Sequence, residues 1–261
     1  MQVGISSFFV ARTTMRRTTL DDPRYYLNRH VQWLDFNRRV PEAARDPANP
    51  LLERVKFLAI TANNLDEFVE VRVSSFLQRI EHGSAERSPD GLSTEEELAL
   101  VTQVMQSLVR DQYKCLNEEL LPQLAKESIR VLRFPELDAK AEKFAKTFYN
   151  RRVAPMLTPV TVDPSHPFPH VLNKALCISF LLRRRRGGNG KPYFGVLTVP
   201  RALPRLLRVP AAGGAIHYVP LQEIISAYAP KLYRGTRFWR RRRFASHATA
   251  IFIWKRRKRA I

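Results

Sequence analysis

One long series of apolar residues, spaced by three or four positions, constrains the fold of this chain more than any other feature. This spacing puts side chains on one face of an α-helix, because one turn takes about 3.6 residues. The series spans about eight turns and should end at Gly83, a residue suited to a helix C-terminus. Its members are Leu51, Val55, Leu58, Ala62, Leu65, Val69, Val73, Phe76 and Ile80.

Two further segments predict helices that pack against this one. Positions 26–45 have helical spacing, with a kink or early stop at Pro41. Thr94 stands three residues before Glu97, a capping-box pattern that predicts the start of a third helix. The apolar face of the first helix is expected at Trp33, Phe36 and Val40. Residues 25–127 are therefore predicted to form a helical bundle, preceded by a flexible lead-in at 1–24.

Residues 128–236 have a different pattern. Five prolines between positions 154 and 170 predict an irregular, extended loop. Two apolar runs, 176–185 and 193–199, flank a glycine-rich turn and predict a β-hairpin. Positions 216–219 predict a further strand, followed by a short helix. The predicted fold class is α + (α+β), an N-terminal helical bundle followed by a smaller α+β domain.

Positive charge is concentrated at the end of the chain. The formal net charge is +20, and residues 237–261 contain ten Lys and Arg but no Asp or Glu. We expect this segment to be disordered, because its charges repel one another, and to bind polyanions weakly and without sequence preference. A nucleic-acid-binding protein remains an alternative, since aromatic residues that can stack on bases alternate with these arginines: Phe238, Trp239, Phe252 and Trp254.

Several other chemistries lack support in the sequence. Cys115 and Cys177 have no motif spacing, so we expect no disulfide framework and a cytoplasmic protein, with peripheral membrane association left open. No apolar run reaches the roughly 18 residues of a membrane span. His166 and His170 lie in the proline-rich loop without a carboxylate or thiol cluster, so no metal site is expected.

For the charged and glycine-rich motifs, the sequence also favours a structural role over a catalytic or phosphate-binding one. Asp66 and Glu67 are adjacent and point to different helix faces, which favours capping or salt bridging over paired-carboxylate catalysis. Residues 187–190 are predicted to form a hairpin turn and not a phosphate-binding loop. The arginines at 183–186 are more consistent with a solvated strand end than with a phosphate site.

Colinear motifs connect the chain to a known family. The segment YYLNRHVQWLDFNRRV, then NPLLERVKFLAITANNLDEFVEVRV, resembles the start of bacterial polyphosphate kinases. Further on, APMLTPVTVDPSHPFPHVLN and HYVPLQEIISAYAPKLYRG resemble later family blocks. The likeness runs from about Asp22 to Thr236, roughly four fifths of the chain. It departs at positions 30–32, where the family has Glu-Leu-Ser, and at Pro41, where it has a helix-compatible residue.

The resemblance implies a phosphotransferase. The family reversibly transfers the terminal phosphate of ATP to polyphosphate with Mg²⁺, using a histidine nucleophile in later domains. Its N-terminal domain covers the nucleotide, and the asparagine of the NLDEF motif, here Asn64, contacts ATP. No catalytic residue and no metal ligand carries over, so this chain alone is expected to be inactive. The family's second domain contributes to self-association, which leaves a homo-oligomer open.

The amide of Asn64 suits the role that the resemblance implies. It offers both a donor and an acceptor, as an adenine edge requires. The competing interpretation is an ordinary polar residue on a helix surface beside Asn63. An interaction fragment that pairs with a full-length kinase remains a further alternative for the whole chain.

Residues 237–261 do not resemble the sequence that follows these blocks in the polyphosphate kinase family. Codons exist that encode residues 237–261 in this frame and EVLEAAAFRVTRNSNFYLEEEEARN in a frame shifted by one base. The second reading resembles the family's next block and would lower the net charge from +20 to about +7. We therefore expect a frameshift near Thr236.

Overall fold

The computed structural model describes residue 20 and residues 22–162, 171–184, 193–233 and 235–246. It contains a helical bundle followed by a smaller α+β unit, as the sequence predicts. The lead-in expected at 1–24 lies mostly outside the described residues, although Pro23–Tyr25 forms a 3₁₀ turn capped by the Asp22 side chain.

The bundle contains one long helical rod, residues 51–81, and two flanking groups of helices. The predicted break near Pro41 is confirmed, because the first helical segment is divided at Arg39. The rod continues through a π-helical turn, Val69–Val73, and ends before Gly83, which has a φ of +66°. The helices are α1 (Arg29–Arg38), α2 (Val40–Arg45), α3 (Leu51–Phe68), α4 (Ser74–Glu81), α5 (Thr94–Lys114) and α6 (Leu121–Lys126).

The π-helical turn changes which residues of the predicted apolar series are buried. Leu65, Phe68, Val73 and Phe76 are buried in the bundle core, with a step of five residues between Phe68 and Val73. A π turn adds one residue to a helical turn, so the buried face is shifted by one position there. Val69, which the regular spacing predicts in the core, is only half-buried for this reason.

Two other details of the bundle differ from the prediction. The predicted face of α1 is wrong, since Trp33 and Phe36 are exposed and Leu34 is buried. The predicted capping box is displaced by one residue, because Ser93 is the N-cap and pairs with Glu96. Both Ser93 and Thr94 are followed three residues later by a glutamate, so local sequence alone does not separate them.

The second unit contains two small sheets and two helices around its own core. The predicted hairpin is confirmed by the antiparallel pairing of β3 (Ala175–Arg184) and β4 (Tyr193–Thr198). The first sheet has the order β1 (Ile129–Val131), β6 (Ile216–Pro220), β5 (Leu206–Val209). Helices α7 (Ala139–Phe148) and α8 (Leu221–Tyr228) pack with the sheets. The other strands are β2 (Val160–Val162) and β7 (Thr236–Ser246).

The expected disorder of residues 237–261 is wrong for residues 237–246. These residues form most of β7, which pairs antiparallel with β3 at the edge of a sheet with the order β2-β4-β3-β7. An exposed strand edge offers unpaired backbone N–H and C=O groups, which can accept a new strand whatever its side chains. Residues 247–261 lie outside the described residues. Deleting residues 237–261 is expected to lower the melting temperature of the chain, because the deletion removes most of β7 from the sheet.

Candidate functional site

The contact between α1 and α3 holds Asn64 in a defined orientation. Asn37 on α1 is fully buried, and its side-chain oxygen accepts a 2.9 Å hydrogen bond from Nδ2 of Asn64. Nδ2 of Asn37 in turn donates to the backbone carbonyl of Thr61, at 3.3 Å. Asn64 is half-buried, and its side-chain oxygen makes no hydrogen bond to any described residue. One acceptor thus stays available for a ligand.

An exposed apolar surface accompanies Asn64 on the same two helices. Ile60 and Asn64 are four positions apart on α3, which places them on one face of that helix. Trp33 on α1 stacks on Phe68, with ring centroids 4.9 Å apart, and remains partly exposed. We call this group the Asn64 surface: Trp33, Ile60 and Asn64. An exposed apolar surface beside a polar group that can bind a ligand is a candidate interaction site.

A polar bridge joins the helical rod to the second unit. Nζ of Lys174 lies 2.7 Å from Oε2 of Glu70 in the π-helical turn, and Nδ2 of Asn173 donates to the same carboxylate. This contact raises the pKa of the Lys174 ammonium. Arg201 donates to the backbone carbonyl of Asn173. Lys174 has a φ of +54°, in the left-handed region, so the turn before β3 has an uncommon conformation.

Comparisons with known proteins identify this architecture. The Polyphosphate kinase N-terminal domain matches residues 26–132, and the Polyphosphate kinase middle domain matches residues 140–244. The chain belongs to the polyphosphate kinase family. The polyphosphate kinase of Thermosynechococcus vestitus is 39% identical over 221 residues, which are 83% of this chain and 30% of that protein. The polyphosphate kinase of Pseudomonas aeruginosa is 37% identical over 218 residues, 83% of this chain and 32% of that protein.

A solved structure supports the fold. The polyphosphate kinase of Porphyromonas gingivalis matches with a TM-score of 0.69 and 22% identity, over 82% of this chain and 32% of that chain. This chain therefore spans about a third of the length of the polyphosphate kinases that it matches. It corresponds to their N-terminal and middle domains.

The bundle also contains a buried charged cluster that sequence reasoning did not predict. Glu97 is 2% exposed, and its Oε1 accepts a 2.9 Å hydrogen bond from Asn28. The same oxygen lies 3.6 Å from Nε2 of the buried His30, and Oε2 lies 4.0 Å from a guanidinium nitrogen of Arg79. The Ser-Thr-Glu-Glu-Glu run at 93–97 is the local signal for this position, and by itself it predicts only a helix cap. Asn28, His30, Arg79 and Glu97 are referred to below as the Glu97 cluster.

The His30 imidazole in this cluster should make stability depend on pH. Burial is the main cause that lowers its pKa below the usual 6.5, and the carboxylate of Glu97 acts in the opposite direction. The unfolded chain therefore binds a proton at a higher pH than the folded chain does. The neutral His30 imidazole therefore contributes its full stabilisation above about pH 6.5, the pKa in the unfolded chain. This contribution is lost as the pH falls from there through the lower pKa of His30 in the folded chain.

Urea denaturation at about pH 8 and about pH 5.5 checks this prediction. The free energy of unfolding should fall between the two pH values, and the fall should be smaller in His30→Gln. His82→Gln is the matched control, because His82 is exposed. A pH dependence that is unchanged in His30→Gln would contradict the assignment.

The remaining candidate residues have no catalytic arrangement among the described residues. Within the described ranges, no group of three His, Cys, Asp or Glu side chains could hold a metal ion, and no helix is long and apolar enough to cross a membrane. Cys115 and Cys177 are free and buried, and burial raises the pKa of both thiols. His166 and His170 lie outside the described residues.

Proposed function

We propose that this chain supplies the nucleotide-covering and middle domains of a polyphosphate kinase, with Asn64 as a contact to ATP. The observation that carries this proposal is the hydrogen bond from Asn64 to the buried Asn37. That bond fixes the amide and leaves its oxygen able to accept a hydrogen bond, for example from the adenine amino group.

The Asn64 surface supports the same role. Its exposed apolar side chains would be covered when the other domains of the enzyme close over the nucleotide, which would exclude water from the phosphates. In the intact enzyme we propose reversible transfer of the terminal phosphate of ATP to polyphosphate, with Mg²⁺. The residues described in this chain would bind and orient the nucleotide, and the reacting groups would come from the later domains.

A chimaera tests the role of Asn64. Residues 26–236 would replace the matching part of the Thermosynechococcus vestitus enzyme, and ATP-dependent growth of a polyphosphate primer would be followed. Asn64→Ala should raise the KM for ATP about tenfold, because one hydrogen bond to the nucleotide is lost. Asn63→Ala is the matched control, since Asn63 is its exposed neighbour. Equal KM values for the two variants would refute the assignment.

The isolated 261-residue chain is expected to be inactive. Incubation with ATP, Mg²⁺ and a polyphosphate primer should give no chain growth above the level of a boiled sample. The reason is that the matched region covers only the N-terminal and middle domains of the family. ATP-dependent elongation that a substitution within this chain abolishes would contradict the expectation.

We further propose that residues 237–261 are read out of frame. The support comes from backbone register, because positions 241 and 243 on β7 pair with Phe180 and Ile178, both of which are buried in the main core. Paired positions on neighbouring strands share a face, so small or apolar residues are expected there. The shifted reading has alanine at both positions and keeps phenylalanine at 244, the last position of the family match.

Restoring these alanines should stabilise the chain. The double variant Arg241→Ala and Arg243→Ala is expected to raise the free energy of unfolding by about 1 kcal/mol or more, since charged residues are replaced at positions whose strand partners, Phe180 and Ile178, are buried. Arg256→Ala with Arg257→Ala is the control, with the same change in charge outside β7. Urea denaturation measures both, and equal gains would show that overall charge alone is responsible.

Pairing with a full-length kinase is a second candidate function. The Asn64 surface favours it, because that surface is exposed in this chain and would be covered in a complete enzyme. Co-purification with a full-length relative, abolished by Trp33→Asp and retained by Leu52→Asp at another exposed apolar position, would support it. Self-association is a separate proposal, which we expect to involve the middle domain, and light scattering of the isolated chain tests it.

A further inference from the structure

A series of hydrogen bonds leads from the backbone of α3 to the side chain of Asn64. The carbonyl oxygen of Thr61 accepts a hydrogen bond from Nδ2 of Asn37, at 3.3 Å. The side-chain oxygen of Asn37 accepts a hydrogen bond from Nδ2 of Asn64, at 2.9 Å. Thr61 and Asn37 are both fully buried. We call these groups the Asn37 relay: the Thr61 carbonyl and the side-chain amides of Asn37 and Asn64.

The relay has one favourable direction, because it starts from a backbone carbonyl. A carbonyl oxygen only accepts hydrogen bonds, so the nitrogen of the Asn37 amide, and not its oxygen, must face Thr61. The oxygen of Asn37 consequently faces Asn64, which must turn its own nitrogen inwards. Flipping either amide would break a hydrogen bond and place two acceptor oxygens opposite each other. The orientation of Asn64 is therefore set from inside the bundle, before any ligand binds.

This orientation determines which ligand groups Asn64 can bind. Its oxygen makes no hydrogen bond to any described residue and can accept one, and its second N–H can donate. An acceptor beside a donor matches the amino group and the neighbouring ring nitrogen of adenine, the pairing that asparagine makes with this base in DNA. Phosphate groups have only acceptor oxygens, which do not suit the oxygen of Asn64. The exposed apolar side chain of Ile60, on the same helix face, also favours a planar base.

We propose that the Asn37 relay makes the nucleotide site selective for 6-aminopurines over 6-oxopurines, with Asn37 as the positioning residue. The proposal rests on the proposed contact between Asn64 and ATP and adds the part of the nucleotide that Asn64 recognises. A 6-oxopurine such as hypoxanthine has an acceptor where adenine has a donor, so its oxygen would lie opposite the oxygen of Asn64. An amide that was free to flip could adapt to either base, and the relay removes that freedom.

The chimaera with the Thermosynechococcus vestitus enzyme tests the proposal with ATP and inosine triphosphate as alternative substrates. The value of kcat/KM should be higher for ATP by about tenfold or more, because only ATP offers a donor to Asn64. Asn37→Leu has a side chain of similar size without the acceptor, so Asn64 can flip and the preference for ATP should fall about tenfold. Loss of stability alone would lower the rates with both nucleotides and leave their ratio unchanged, which would overturn the proposal.

Asn37→Asp is the matched control for the relay. A carboxyl group at this position accepts a hydrogen bond from Asn64 in either protonation state, so this variant should keep the preference for ATP even if it is less stable. Equal preferences in Asn37→Asp and Asn37→Leu would overturn the proposal.

NMR of the 261-residue chain tests the relay without a nucleotide. One side-chain amide proton of Asn64 should exchange with solvent about tenfold more slowly than those of the exposed Asn63, because it is hydrogen-bonded to Asn37. This difference should disappear in Asn37→Leu. Equal exchange at Asn63 and Asn64 in the unsubstituted chain would overturn the relay.

Asn64→Ala in the chimaera separates this proposal from the one on which it rests. We expect the KM for ATP to rise and the KM for inosine triphosphate to change little. A rise by the same factor for both nucleotides would mean that Asn64 contacts the nucleotide away from position 6 of the purine, and it would overturn the selectivity alone. No change in either KM would refute the contact with ATP and the selectivity together.

Discussion

Replacing Leu65 by Ala is expected to lower the free energy of unfolding by about 2–5 kcal/mol. Leu65 is 6% exposed and packs in the bundle core with Leu34, Phe68 and Leu108. The loss has two parts, the transfer of the removed methyl and methylene groups from water and the cavity that the rigid helices leave behind. Urea denaturation followed by circular dichroism at 222 nm measures the change.

Leu52→Ala is the matched control, because Leu52 is on the same helix and is 59% exposed. Its effect should stay within about 0.5 kcal/mol. A similarly small effect for Leu65→Ala would mean that α3 does not bury its apolar face in the way described.

The second large effect is expected from Glu97→Ala. Removal of this carboxylate should lower the free energy of unfolding by about 1–3 kcal/mol, because partly buried polar groups are left without their partner. Arg79 would lose its counter-charge and Asn28 would lose its hydrogen-bond acceptor. Urea denaturation near neutral pH measures the loss.

Two variants separate the causes of that loss. Glu97→Gln keeps an acceptor for Asn28 and removes only the charge, so it should be less destabilising than Glu97→Ala. Glu95→Ala is the control on the same helical turn, and since Glu95 is exposed its effect should be near zero. If Glu97→Ala resembled Glu95→Ala, the cluster would contribute nothing measurable to stability.

Periodic features of the sequence predicted the main elements of the fold. The series from Leu51 to Ile80 predicted the helical rod, and Pro41 predicted the break between α1 and α2. The two apolar runs around the glycine-rich turn predicted the hairpin of β3 and β4. These predictions succeed because they depend on local geometry, namely helical spacing, the missing N–H of proline and the turn preference of glycine.

Features that depend on contacts between distant segments were not predicted. The exposed face of α1 and the buried His30 follow from how α1 crosses the rod, which the spacing of apolar residues within α1 does not specify. Strands β2, β5 and β7 are short or highly charged in sequence, and each forms because a neighbouring strand provides backbone hydrogen bonds.

The candidate site shows the same division between sequence and tertiary structure. The NLDEF motif identified Asn64 through resemblance to polyphosphate kinases, but not the partner that orients it. Asn37 precedes Asn64 by 27 positions, and the two amides meet only because α1 and α3 pack together. The sequence by itself determined the helical rod, the family and the candidate residue. Only the tertiary structure decided which polar groups are buried together, because a buried hydrogen bond depends on the three-dimensional position of both partners.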